Sequence, residues 1–347
     1  MKAVIAGVTG AVGSAIGRQL TRNRNIPVVG LARNPPSGPI RGIDYVQIDM
    51  AEASACARIL QAHRDTTHLF YCGRATHQEQ VLEDVASNLL LLENLLNVLE
   101  GASLSHVHLV QGGKVYGVHI GPFPSPAKED DPRAPIENFN YDQEDLLRAR
   151  SQSGHWSWSA SRPNTLLHFS PAIARNLVSS LGTYAALCKE LGAAFDFPGP
   201  QAAYHSLTQV TSIELLAEAM DWMTSDSGCA NQAFNITNGD AFRWSQVWPR
   251  IADFFDMPCG SVRPMRLAEV MSGRELLWQK IVAREGLQPL CLSRIVNWGY
   301  LDATLERTWD ELLCTNKTRR FGFHGWADSQ ELMLALFAQY REARILP

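Results

Sequence analysis

The sequence predicts an α/β fold, a doubly wound parallel sheet carrying a smaller, mainly helical C-terminal substrate cap. Two observations predict it. Over the first 110 residues short apolar runs alternate with helical stretches, the rhythm of parallel strands joined by crossover helices. Beyond Ser170 helical stretches dominate, with short extended pieces between them. The expected division is a cofactor-binding domain at 1–170 and a cap at 171–347, interleaved with the sheet.

Strands are expected at 3–7, 27–32, 45–49, 68–72 and 106–111, with 164–169 extending the same sheet. Helices are expected at 11–23 and 83–99 between them. The stretch 121–135, rich in Pro and charge, reads as a loop. In the cap, helices are expected at 173–191, ending at Gly192, at 213–224 and at 329–344. The second is opened by a capping box, Thr211-Ser212-Ile213-Glu214. A short extended piece falls at 233–236.

Composition narrows the function classes. The 347 residues are 46% hydrophobic and 19% charged, a globular balance that excludes a disordered chain. Net charge is −4 without a basic block, so no nucleic-acid partner is expected. No apolar run approaches a membrane span. Met1-Lys2 leads directly into the apolar run Ala3-Val4-Ile5-Ala6, which reads as a strand and not a signal peptide. Seven scattered cysteines without a C-x-x-C fit a reducing, cytoplasmic setting.

The strongest local signal is Gly7-Val8-Thr9-Gly10-Ala11-Val12-Gly13, which follows the first strand and opens the first helix. Gly7 makes the tight turn, Gly10 lets backbone approach a pyrophosphate, and Gly13 permits close helix–sheet packing. The helix N-terminus offers N–H groups to phosphates. This is a Rossmann-type dinucleotide site, with the G-x-x-G-x-x-G spacing of short-chain dehydrogenase/reductase domains. The second strand ends in Gly30-Leu31-Ala32-Arg33-Asn34, without the carboxylate that holds a ribose 2′-OH. Arg33 suits a 2′-phosphate instead, which makes NADPH the expected cofactor; a solvated surface arginine is the plain alternative. Asp49 and Met50, after the third strand, are placed at the adenine pocket; Asp49 also reads as an ordinary turn residue.

None of the eight tyrosines has a lysine four residues later, so the usual Tyr-x-x-x-Lys helix is absent. Either oxidoreductase chemistry is lost, or the two groups come from separate places. Lys114, in Gln111-Gly112-Gly113-Lys114-Val115-Tyr116-Gly117, lies at the end of the fifth strand, where ligands bind in open α/β sheets. Tyr141, in Asn138-Phe139-Asn140-Tyr141-Asp142-Gln143-Glu144-Asp145, stands where the next helix begins. A nearby ammonium makes a phenol a better donor to a developing oxyanion. A solvated lysine and a packed tyrosine are the plain alternative.

These segments carry a resemblance. With Ala32-Arg33-Asn34, Ser161-Arg162-Pro163-Asn164, Phe169-Ser170-Pro171, Phe234-Asn235-Ile236-Thr237-Asn238-Gly239-Asp240 and residues 316–325, the chain resembles the progesterone 5β-reductase/iridoid synthase-like (PRISE) family. These are atypical extended short-chain reductases acting on enones. The resemblance covers most of the chain. It implies that Lys114 and Tyr141 are catalytic and that Arg33 contacts the 2′-phosphate. It also implies that the segment from Pro163 to Ser170 borders the nicotinamide, and that the reaction is NADPH-dependent 1,4-reduction of an enone or enal. Departures from the pattern are Asn140 in place of a first tyrosine, Cys72-Gly73-Arg74 in place of bulkier residues, and Tyr204 in place of a tryptophan. His168 reads as a packed strand-end histidine or as a donor to substrate.

The remaining features read as structural. Trp156, Trp158, Trp222, Trp244, Trp248 and Trp326 are expected to pack the cap, and Glu129-Asp130-Asp131 to be a solvated loop. His106 and His108 alternate on one strand without a completing metal shell, so no metal is expected. The reading is an enone reductase acting on a small molecule, monomeric or a homodimer. Its rivals are a carbonyl reductase or nucleotide-sugar epimerase of the same fold, and a non-catalytic NADP(H)-binding sensor.

Overall fold

Seven parallel strands form the central sheet of the computed structural model, which describes residues 1–34, 41–75, 84–101, 103–171 and 173–347. They are Ala3–Ala6 (β1), Val28–Ala32 (β2), Ile43–Gln47 (β3), His68–Tyr71 (β4), His106–Val110 (β5), Ser157–Pro163 (β6) and Gln232–Ile236. Their spatial order is Gln232–Ile236, β6, β5, β4, β1, β2, β3, so the chain reverses direction across the sheet between β1 and β4. The doubly wound Rossmann fold is therefore present, with one strand supplied from the C-terminal half. In such sheets the crevice beyond the strand C-termini, where the order reverses, is the natural ligand site.

Both faces are covered because successive side chains of a strand point opposite ways. Val4 and Ala6 of β1 join one core with Leu91, Leu92, Leu95 and Leu96 of helix Val85–Leu99 (α3) and Cys56 and Leu60 of helix Ala53–Leu60 (α2). Ala3 and Ile5 join the other, with Ile16 and Leu20 of helix Ala11–Asn23 (α1) and Leu216, Met220 and Met223 of helix Ile213–Ser225. Residue 83, where the helix before β5 was expected to start, lies outside the described residues.

The sheet departs from expectation at its sixth strand. Residues 164–169 do not extend it. They hold the short strand Thr165–Leu167 (β7), which pairs with Val210–Ser212 apart from the main sheet. The sixth strand is β6, which was not anticipated and carries the polar residues Ser157, Ser159, Ser161 and Arg162. Their polarity is answered locally. His106 Nδ1 and Nε2 lie 2.8 Å from Ser157 Oγ and Ser159 Oγ, and His108 Nδ1 and Nε2 lie 2.8 and 3.1 Å from Ser159 Oγ and Ser161 Oγ. Each hydroxyl thus enters the sheet with a partner, which removes the penalty of burying it. Burial lowers the His106 imidazole to about 3 and His108 well below its ordinary value, so both rings are neutral.

The C-terminal region has its own core around helix Leu177–Glu190, with Phe195 and Trp248 stacked at 4.3 Å and Phe197 edge-on to Trp248. This helix starts at Leu177, later than expected, because Asn176 caps it by accepting from Val178 N and Ser179 N. Ser212, not Thr211, caps helix Ile213–Ser225, and its hydroxyl donates to Glu214 across 3.2 Å in place of a reciprocal capping box. The tryptophans divide differently from expectation. Trp244 and Trp248 pack the cap, Trp156, Trp158 and Trp222 pack against the sheet, and Trp326 is 77% exposed. Glu129 is not a solvated loop residue: it is half-buried and accepts from Asn235 N at 2.8 Å. No helix among the described residues is long and apolar enough to cross a membrane.

Candidate active site

The crevice where the strand order reverses is bounded by the glycine loop and the end of β4. Gly7 has φ +76°, a conformation that L side chains rarely adopt, and a Cβ there would lie 2.8 Å from the Cys72 carbonyl oxygen. A Cβ at Gly13 would collide with the Gly7 carbonyl, so the first turn of α1 is seated against the loop only because residue 13 has no side chain. Gly10 is the N-cap of α1 and supplies no side-chain bond, and no acidic residue occupies the first turn. Thr9, Gly10, Ala11, Val12 and Gly13 thus form a backbone-lined approach to an uncapped helix N-terminus, which favours anionic groups.

The second strand and the loop after β3 form the neighbouring wall. A cleft of about 330 Å³ is lined by Arg33, Gln47, Asp49, Glu52 and Arg58. A second, of about 270 Å³, shares Arg33 and Asp49 with it and adds Met50, Ala51, Arg74 and Ser87. Arg33, Asp49 and Met50 are therefore brought together, next to a second guanidinium, Arg74, that sequence reasoning noted only as a departure. Asp49 is partly committed to its own turn, accepting from Ala51 N at 3.0 Å. Gln47 Nε2 donates to the Arg33 carbonyl at 3.0 Å and fixes the backbone from which that side chain projects.

Lys114 and Tyr141 come from separate elements that are laced together. Lys114 lies in a 3₁₀ turn, Gly113–Tyr116, directly beyond β5, and Tyr141 in the first turn of helix Phe139–Ser153 (α4). Asn138, the N-cap of α4, donates through Nδ2 to the Lys114 carbonyl at 2.9 Å. The Tyr141 hydroxyl donates to the Val115 carbonyl at 2.6 Å and accepts from Ala134 N at 3.0 Å. Its ring lies beneath the Arg133 guanidinium at 4.8 Å, in a small apolar cluster with Val115, Tyr116, Ala127 and Leu313. The phenol is thus held against the turn that carries Lys114.

Beneath this turn lies a buried polar network that sequence reasoning missed. Arg162 of β6 reaches Gln111 Oε1 (2.8 Å), Glu144 Oε2 (2.9 Å), the Tyr116 hydroxyl (3.2 Å) and the Glu129 carbonyl (3.0 Å). Gln111 Nε2 donates at 3.0 Å both to Glu144 Oε2 and to the Asn140 carbonyl. Arg148 holds the other Glu144 oxygen at 2.7 Å. Burial alone would raise the Glu144 carboxyl, but the adjacent guanidinium groups outweigh it and hold the carboxyl below its usual range. Burial pushes the Tyr116 phenol up to about 12 against the opposing pull of Arg162. The available signal was an arginine within a strand sequence and a glutamate three residues after Tyr141.

The segment from Pro163 to Ser170 runs from this network into the cap. A Cβ at Gly112 would lie 3.6 Å from the Pro163 carbonyl, and one at Gly113 3.6 Å from Asn164 Oδ1, so the segment abuts the turn that carries Lys114. Ser170 is anchored by Tyr340, whose hydroxyl accepts from Ser170 N at 2.9 Å and donates to Ser170 O at 3.1 Å. His168 is buried, with Nδ1 2.9 Å from Ser170 Oγ, and Asn176 Nδ2 donates to its carbonyl at 3.0 Å. Burial lowers the His168 imidazole to about 4, so it is a neutral, packed group.

A model of the PRISE-like Rossmann-fold domain matches residues 31–284. The (S)-8-oxocitronellyl enol synthase ISY2 of Nepeta racemosa is 32% identical, covering 99% of this chain and 91% of its own length. The 3-oxo-Delta(4,5)-steroid 5-beta-reductase of Arabidopsis thaliana is also 32% identical, over 99% and 93%. The short chain dehydrogenase gsfE of Penicillium aethiopicum is 30% identical, over 99% of both chains. Among solved structures, the UDP-glucose 4-epimerase of Thermus thermophilus, solved with NAD, aligns with a TM-score of 0.68 at 17% identity, over 99% of this chain and 100% of that one. Bordetella bronchiseptica WbmG, solved with NAD and UDP, aligns at 0.68 and 15%, over 99% and 95%. At these identities the solved structures show the fold alone.

Proposed function

The chain belongs to the PRISE-like Rossmann-fold family, and from that membership we propose that it is an oxidoreductase using NADPH to reduce the activated C=C bond of an enone or enal. The observation that carries the reading is the Lys114–Tyr141 arrangement. A reductase of this fold without Tyr-x-x-x-Lys needs its phenol and its cation brought together from two elements, and here Asn138 and Tyr141 tie those elements through the Lys114 and Val115 carbonyls.

The cofactor test rests on the glycine cradle. The tight glycine turn that Gly7 and Gly13 permit, an uncapped α1 and the Arg33 cleft suit a dinucleotide with an extra phosphate. Thr9 to Gly13 would face the pyrophosphate, Arg33 the 2′-phosphate, Asp49 and Met50 the adenine side, and Pro163 and Ser170 the nicotinamide. When bound, NADPH supplies a hydride to the β-carbon of the acceptor. Tyr141, supported by Lys114, would hydrogen-bond the carbonyl oxygen as negative charge gathers there. In the present geometry the Tyr141 proton is directed at the Val115 carbonyl, so rotation about the Cζ–Oη bond must turn it toward substrate.

The experiment is NADPH oxidation against a panel of cyclic, linear terpenoid and steroidal enones and enals, with products identified by mass spectrometry and NMR. Saturated ketones or aldehydes are the expected products. An alcohol with its C=C bond intact would replace the proposal with carbonyl reduction. NADPH binding without any turnover would replace it with a sensor role.

A further inference from the structure

At one side of the sheet the strand Gln232–Ile236 has β6 as its only partner among the described strands. An edge strand turns a row of N–H and C=O groups outward, where another extended chain can pair with them. Such edges are commonly blunted by a charge or a proline within the strand itself. This edge has neither, for residues 229–238 contain no charged residue and no proline. We infer that it is a latent strand-docking site for the same strand of a second copy of this chain, held shut by Glu129, Lys317 and Thr318.

The three side chains stand in for a neighbouring strand. Glu129 Oε1 accepts from Asn235 N at 2.8 Å, Thr318 Oγ1 donates to Asn235 O at 2.8 Å, and Lys317 Nζ donates to Ala233 O at 2.9 Å. A carboxylate oxygen thus sits where a paired strand would bring a C=O, and a hydroxyl and an ammonium sit where it would bring N–H groups. They come from two separate segments, the loop at 121–135 and the helix Asn316–Arg320. These segments are bonded to each other, Ala127 N to Leu312 O at 2.9 Å and Cys314 N to Ala127 O at 2.8 Å. The Asn235 side chain holds both, its Nδ2 donating to Ala127 O at 3.0 Å and to Cys314 O at 3.1 Å. The cover is therefore a two-part strap, fastened to the edge by side chains and not by a strand ladder.

The strand beneath the strap selects the occupant. Phe234, Ile236 and Thr237 are strand formers in an uncharged run, the composition of segments that pair with themselves. Main-chain bonds would supply the attraction, as in other cases of strand addition. Two copies related by a two-fold axis would each fill the outward positions of the other. Such a pair closes two open edges at once, which a foreign peptide on one copy does not.

The test uses the full chain and the double variant Lys317→Met/Thr318→Val, and no reading in it requires turnover. Hydrogen exchange at residues 232–236 should quicken about tenfold or more relative to the parent, the worth of one or two lost hydrogen bonds. Light scattering should show the variant's mass rising with protein concentration beyond that of the parent. A labelled, end-capped peptide of residues 231–238 should bind the variant about tenfold or more tighter than the parent, and a scrambled peptide should not. A folded variant whose edge exchanges quickly, yet which keeps parental mass and parental peptide affinity, would overturn the docking site. Parental exchange in the variant would overturn the role of the side chains. Should the variant not fold, the parent decides. Exchange at residues 232–236 that slows when the peptide is added in excess supports the inference, and exchange that the peptide leaves unchanged overturns it.

Discussion

The hydroxyl of Tyr141 and the carbonyl of Val115 are 2.6 Å apart, so the residue proposed to hold substrate oxygen is also a clamp on the turn that carries Lys114. The same oxygen accepts the Ala134 N–H at 3.0 Å. Tyr141→Phe should therefore have two separable effects. Turnover of a good enone should fall about 10²–10³-fold, the usual loss for one oxyanion donor. Folding stability should fall by about 1–3 kcal/mol, because a backbone N–H and a C=O lose their partner. Denaturant melts and kcat measured on the same variant check both. Lys114→Ala should also lower kcat, while Asn138 can still hold the backbone of residue 114.

Arg33→Ala should reduce NADPH affinity about 10- to 100-fold, the value of a charge-assisted phosphate contact, and leave NADH affinity unchanged. Fluorescence titration with both cofactors is the measurement. Equal losses for the two would place the 2′-phosphate elsewhere, with Arg74 as the neighbouring guanidinium in the same cleft.

Gly13→Ala should weaken both cofactors and the fold together. The added methyl meets the Gly7 carbonyl, which is backbone and cannot swing aside. Overpacking of this kind costs about 1–3 kcal/mol, and the displaced loop is the one expected at the pyrophosphate. A variant with parental Tm and parental NADPH affinity would contradict the close seating of α1.

Stability should decline on acidification below pH 6.5. His106, His108 and His168 are all lowered by burial, His106 to about 3 and His168 to about 4. In the unfolded chain each binds a proton near pH 6.5, whereas in the folded chain each stays neutral. The unfolded state then holds more protons, and stability falls as pH falls, by up to about 1.4 kcal/mol per pH unit for each ring. This stability is complete above pH 6.5 and is drained between 6.5 and the folded values. Denaturant unfolding at pH 7.5, 6 and 5 measures the slope, and His168→Asn should make it shallower.

The first half of the fold was legible because it is written in apolar periodicity and glycine. The glycine loop, β1, β2, β4, β5 and helices α1 and α3 follow from local pattern, helix α2 was not anticipated, and Gly7 and Gly13 sit where only glycine fits. Residues Lys114 and Tyr141 were legible as a pair only through the missing Tyr-x-x-x-Lys and a family resemblance, since their proximity is set by hydrogen bonds that no spacing encodes. The sixth strand was misplaced because its serines are paid for by histidines some fifty positions away. Arg162 and Glu144 escaped notice for the same reason. A charge in a strand sequence looks like solvent exposure until its partner on another element is seen.

The ladder between β5 and β6 also has a handedness. Ser159 offers a single hydroxyl hydrogen to two imidazole nitrogens, His106 Nε2 and His108 Nδ1, each 2.8 Å away. It cannot donate to both, and accepting from both would strand its own hydrogen in a buried site. If it donates toward His108, both rings carry their hydrogen on Nε2; if it donates toward His106, both carry it on Nδ1. The two tautomers are therefore a single choice, and all the hydrogens from Ser157 to Ser161 point one way along the strand, like dominoes fallen in the same direction. Removing the Ser159 hydroxyl would divide that one choice into two independent ones.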